Sequence, residues 1–96
     1  MKAMATLDRH RAAAREAASR FHTTNLRVFG SALRREDRSD SDLDLLVDPL
    51  PGATLFDLGG LQVELEELLG IPVDLLTADD LPPGFRDQVL SEAVPV

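Results

Sequence analysis

The chain reads as a small α/β (α+β) protein: a mixed sheet of three to four strands flanked by helices. Three observations predict this. Short apolar runs at 25–29 (NLRVF), 42–48 (DLDLLVD) and 71–76 (IPVDLL) have strand length. Segments of helical period alternate with them. Proline and glycine clusters at 49–52 and 82–84 punctuate the pattern. Ninety-six residues fit one domain, 1–96, with one modest core.

The elements follow in order. Residues 6–22 are Ala-rich and predict a helix, with Thr6 as its N-cap and a thin apolar stripe of Leu7, Ala14, Ala17, Ala18 and Phe21. Strand 25–29 follows. Gly30 then opens a helical turn over 31–36, and DRSDS (37–41) is a polar loop. Strand 42–48 ends at Pro49. Thr54-Leu-Phe-Asp57 has the form of a capping box, with Asp in the usual Glu place. The helix it starts runs to Leu69, with Leu58, Leu61, Leu65, Leu68 and Leu69 on one face and Gly70 as C-cap. Strand 71–76 carries Pro72 near its start, where proline is tolerated. A last helix spans 84–92, and the tail AVPV is extended, a potential fourth strand.

Composition narrows the functions. There is no cysteine, and His10 and His22 are the only histidines, which argues against disulfides, thiol catalysis and a structural zinc. The N-terminal segment lacks the apolar core of a signal peptide, and no run approaches the ~20 apolar residues of a membrane span. A cytoplasmic protein with no membrane partner is expected. Net charge is −7 and uneven. Residues 1–48 hold nine Lys/Arg against eight Asp/Glu; residues 49–96 hold only Arg86 against nine acids. Such a balance disfavours direct nucleic-acid binding, which needs clustered bases. It suits a basic protein partner, or simply a solvated surface.

The chemistry concentrates in GSALRREDRSDSDLDLLVD, residues 30–48. Alternation along 42–48 sends Leu43, Leu45 and Val47 to one face and Asp42, Asp44, Leu46 and Asp48 to the other. Asp42 and Asp44 then stand side by side, Cα atoms roughly 6.6 Å apart. Asp74 interrupts an apolar strand and reaches the same place if that strand neighbours 42–48. Three hard carboxylates so close repel unless a cation or a proton joins them, and they suit Mg²⁺. Taken alone, the residues leave two readings open: a metal site, or a solvated sheet face. Asp44, between Leu43 and Leu45, favours the metal, because Asp is depleted in strands. A calcium loop beginning at Asp40 fails, since its sixth residue is Leu45 and its twelfth Pro51.

Gly30-Ser31, between a strand and a helical turn, is an anion site in form: free backbone N–H groups, the positive end of a helix, and a hydroxyl. Arg34, Arg35 and Arg38 lie near in sequence to neutralise phosphate. An isolated Gly-Ser is also an ordinary turn with Ser as N-cap. P-loop and dinucleotide-binding glycine motifs are absent.

Together, G-S, ten residues, D-x-D on a strand and a lone Asp on a later strand resemble the DNA polymerase beta-like nucleotidyltransferase superfamily. Within it, SDSDLDLLVD, LFDLGGLQVELEELLG and PVDLLT resemble the minimal nucleotidyltransferases (MNT), antitoxins of HEPN/MNT toxin–antitoxin systems. The resemblance covers Leu26 to the C-terminus. It implies that Gly30, Ser31 and Arg34 bind the nucleotide's triphosphate, and that Asp42, Asp44 and Asp74 are the catalytic, Mg²⁺-binding carboxylates. Asp74 would ligate the cation or accept the proton. Arg35 stands where the family commonly has glycine.

The activity so implied is Mg²⁺-dependent transfer of AMP from ATP to a hydroxyl, a tyrosine of a cognate HEPN-type toxin. The chain has no tyrosine, so a tyrosine acceptor must come from another protein, possible in a hetero-oligomer. Two alternatives accompany it: an MNT-type antitoxin that neutralises by binding and masking, and a nucleotidyltransferase acting on a small molecule or RNA.

Overall fold

The computed structural model describes residues 3–30 and 42–96. Its elements are α1 (Ala3–Asp8), α2 (Arg11–Arg20), β1 (Thr23–Phe29), β2 (Leu43–Pro49), α3 (Leu55–Leu69), β3 (Val73–Leu76), α4 (Pro83–Glu92) and β4 (Val94–Pro95), with a 3-10 turn at Ala78–Asp80. The strands form one sheet in the order β3-β2-β1-β4. β1 pairs antiparallel with both β2 and β4, while β2 and β3 run parallel. The mixed sheet with flanking helices is the expected architecture. The tail does add the fourth strand, on the outer edge of β1.

Each strand has the boundaries its residues favour, within a residue or two. β2 begins at Leu43, whose N–H donates to Pro72 O at 3.0 Å. Leu43, Leu45 and Val47 join the main core with Ala14, Ala17, Leu26, Val28, Leu61 and Leu65. Leu46 points to the other face and forms a second, smaller cluster with Phe29 and Leu81, packed by Leu76, Val89 and Ala93. The alternation read from the sequence therefore separates two real cores. Leu45, Leu46, Leu61 and Leu65 are wholly buried, each burial stabilising by about 1.5–3 kcal/mol.

α3 is capped as its sequence predicts. Asp57 N–H donates to Thr54 Oγ1 at 3.3 Å, and Thr54 N–H donates to Asp57 Oδ2 at 2.9 Å. At its other end Gly70 takes φ 71°, and its N–H donates to Glu66 O at 2.8 Å. α3 also guards the sheet edge: Val73 N–H donates to Glu66 Oε2 at 3.0 Å and Leu75 N–H to Gln62 Oε1 at 3.4 Å. The outer N–H groups of edge strand β3 are thus occupied.

The first helix differs from the expectation. The stretch 6–22 is two helices, parted at Arg9–His10, and Thr6 is not an N-cap but a buried residue inside α1. The helix starts earlier because Ala3, Met4 and Leu7 are all buried in the core and extend the apolar stripe toward the N-terminus. A tight turn, His10 N–H to Leu7 O at 2.9 Å, ends it. An Asp8–Arg11 ion pair of 2.7 Å spans the junction.

Candidate active site

Gly30, Asp44 and Asp74 meet at one end of the sheet, where β1 leaves it and β2 and β3 enter. Asp44 stands opposite Phe29 across the antiparallel pair and opposite Asp74 across the parallel pair. Residues in register share a face. Asp44 and Asp74 therefore project to the same side of neighbouring strands, about 4.8 Å apart along the hydrogen-bonding direction. This is the face of Leu46 and Phe29, so the carboxylates share it with the second hydrophobic cluster. Asp44 is half-buried, whereas Asp42 and Asp74 are exposed.

Gly30 follows β1 directly and has φ +79°, in the left-handed region. A Cβ built on it would overlap Asp44 Oδ2 and lie 3.1 Å from Asp44 Cγ. The absence of a side chain at Gly30 is what admits the Asp44 carboxylate. The sequence reading assigned Gly30 to phosphate alone and missed this contact. No local pattern signals it, because the β1–β2 register that sets Phe29 opposite Asp44 comes only from the folded sheet.

Asp42 lies just before β2, so strand alternation does not set its direction. Among the described residues no group of three His, Cys, Asp or Glu is gathered closely enough to hold a metal ion. The register thus collects the pair Asp44 and Asp74. Ser31, Arg34, Arg35, Arg38 and Asp40 lie outside the described residues. Asp48, the remaining acid of the β2 segment, is engaged at the far end of the strand, where Arg27 Nη2 donates to it at 2.6 Å and Asn25 Nδ2 at 2.9 Å. Asn25 sits with φ 56° in the bulge that interrupts the β1–β2 register between Thr24 and Arg27.

The donor set fits a hard divalent cation. Two carboxylates on adjacent strands, beside a cradle that a Cβ would fill, leave room for substrate phosphate and water as further ligands. A cleft of about 380 Å³ opens elsewhere, lined by Arg15, Thr23, Asn25, Leu50 and Val96. It lies at the opposite end of the sheet and is unrelated to the carboxylates.

Comparisons with known proteins give the family. Residues 9–96 match the family model described as nucleotidyltransferase domain. The chain belongs to the nucleotidyltransferase domain family. It is a nucleotidyltransferase, as the resemblance implied. It is 40% identical over 80 residues to the protein adenylyltransferase MntA of Thermococcus cleftensis, covering 83% of this chain and 81% of that protein. A Methanocaldococcus jannaschii protein named as a protein adenylyltransferase is 46% identical over 69 residues, covering 72% of this chain and 74% of its own length. A solved structure described as a minimal nucleotidyltransferase superposes with a TM-score of 0.87 at 45% identity, over 97% of this chain and 95% of that one. The fold is also that of a toxin–antitoxin complex crystallised with AMP-PNP, with a TM-score of 0.65 at 17% identity over 84% of this chain and 70% of that one. The minimal nucleotidyltransferase resemblance is borne out.

Proposed function

We propose that this nucleotidyltransferase is an antitoxin that transfers AMP from ATP, with Mg²⁺, to a tyrosine hydroxyl of a cognate HEPN-type toxin and so neutralises it. The observation that carries the reading is the parallel register of Asp44 and Asp74 beside the Gly30 cradle. Relatives named protein adenylyltransferase support a protein acceptor. The lack of tyrosine in this chain puts that acceptor on another molecule.

Asp42, Asp44 and Asp74 would hold Mg²⁺, and Gly30, Ser31 and Arg34 would hold the triphosphate. The cation, when bound, supplies charge neutralisation at the phosphates and the leaving pyrophosphate. Asp74 accepts a hydrogen bond from the tyrosine hydroxyl and takes its proton. The phenolic oxygen attacks the α-phosphorus, an O–P bond forms, the bond to the β-phosphate oxygen breaks, and pyrophosphate departs. The products are tyrosyl-AMP and pyrophosphate.

The test mixes the protein, ATP, Mg²⁺ and the HEPN-type toxin and reads the toxin's mass. A gain of one AMP on a tyrosine, lost in Asp42→Asn plus Asp44→Asn, is the expected result. A double variant that still neutralises the toxin in cells at equal expression would show that masking suffices.

A further inference from the structure

α3 is apolar on two sides. Leu61, Leu65 and Leu69 face the core and are buried. On the opposite side Phe56 is 92% exposed, Leu55 84% and Val63 54%. Gly59 lies between them at helical spacing, and a Cβ built there would meet nothing within 4 Å. The result is a continuous apolar strip with a central notch over the first two turns. A helix apolar all round is ordinarily buried, and an exposed apolar patch marks an interaction surface.

The charge around the strip selects its occupant. Glu67 continues the same face and is exposed. α3 itself carries Asp57, Glu64, Glu66 and Glu67 and no base; Arg20 pairs with Glu64 at 3.0 Å and the His22 ring meets Asp57 at 3.2 Å, which leaves the helix acidic. A second copy would bring one chain of net charge −7 against another, and an anionic lipid surface would be repelled likewise. A protein surface with an apolar centre and a Lys/Arg rim is complementary. The strip also lies away from the carboxylates: Asp44 is at the start of β2, whereas Leu55 and Phe56 follow its end. One tyrosine side chain contributes little contact area beside the roughly 800 Å² per partner of a stable protein interface, so a protein substrate needs a further contact surface.

We infer that the Leu55–Phe56–Gly59–Val63 face of α3 is an exosite that docks the protein acceptor through an apolar, base-rimmed surface. The inference rests on the proposed transfer to a protein partner. The experiment uses the full chain as wild type, Phe56→Asp and Val63→Asp, with the HEPN-type toxin as probe. Toxin Kd, transfer kcat and KM, and ATP affinity are measured on each, with thermal melts as folding control. Phe56→Asp is expected to raise toxin Kd and transfer KM at least about tenfold. The kcat at saturating toxin, ATP affinity and Tm should stay unchanged. Wild-type toxin affinity in both variants would overturn the exosite. So would the absence of toxin binding by the wild type, or a wild-type dimer that Phe56→Asp dissociates, which would assign the face to a second copy. Lost binding in Phe56→Asp with no AMP transfer even by the wild type supports the docking face and fails the transferase reading, so the two separate.

Discussion

Asp44 and Asp74, thirty positions apart in the chain, occupy the same rung of the parallel β2–β3 ladder. The α3 crossover lays β3 parallel beside β2, and the strand register then sets the two acids opposite each other. The two acids share a face with Phe29 and Leu46 of the smaller apolar cluster. This pairing gives the catalytic proposal its sharpest test. Asp74→Asn, which keeps the side chain's shape and removes its basicity, should lower AMP transfer by about 10²–10⁴-fold. Asp74 is exposed, so its melting temperature should be that of the wild type. Single-turnover transfer with saturating ATP is the measurement, and activity within threefold of wild type would remove Asp74 from the chemistry.

Gly30 and Gly70 form a matched pair for a second prediction. Both have φ near the left-handed well, at 79° and 71°. Alanine at either should cost about 1–2 kcal/mol in backbone strain. A Cβ at Gly70 meets nothing within 4 Å, whereas one at Gly30 displaces the Asp44 carboxylate. Gly70→Ala should therefore lose stability alone, and Gly30→Ala should lose stability and transfer activity together. Denaturant melts beside AMP-transfer assays distinguish them. Equal activity in the two variants would contradict the role given to the cradle.

The cap of α3 predicts an acid-labile contribution. The Thr54 backbone N–H, then the His22 ring, hold the Asp57 carboxyl below its ordinary value of 3.8. A carboxylate with a depressed folded-state value stabilises the fold above the unfolded value. That contribution is lost as pH falls through the lower, folded value. Thermal melts from about pH 7 to about pH 2 should show less acid loss in Asp57→Asn than in wild type. The Thr54→Ala variant, which removes the hydroxyl that accepts Asp57 N–H, should cost about 1 kcal/mol at neutral pH.

Leu46 tests the second cluster. It is wholly buried between Phe29 and Leu81 on the carboxylate face. Leu46→Ala should cost about 2–5 kcal/mol, the usual range for a buried leucine deletion. At about 4–8 °C per kcal/mol for a domain of this size, differential scanning calorimetry resolves it easily. A loss under about 1 kcal/mol would mean that the cluster is loosely packed.

Much of this was legible in the chain because the signals are local. Thr54 with Asp57, the leucines from Leu58 to Leu69 and Gly70 specify α3 by hydrogen-bonding geometry and a 3.6-residue period, both of which act within a few residues. Period-two alternation in β2 assigned Leu43, Leu45 and Val47 to one core and Leu46 to the other face. Residue chemistry likewise marked Asp44 and Asp74 as anomalous in strands. Thr6 misled because the cap rule is local too, while burial of Ala3 and Met4 against distant residues decided where α1 begins.

By itself, then, the sequence determined the helices' caps and faces, the strands' alternation and the acidic residue set. These depend on bonds and periods that span a turn or two. Tertiary structure decided which strands are neighbours, that Asp74 meets Asp44 on one rung, and that Gly30 makes way for the Asp44 carboxylate. It also decided that Phe56 is left in solvent. Pairing and exposure depend on where segments far apart in the chain are brought in space, and no local period encodes that.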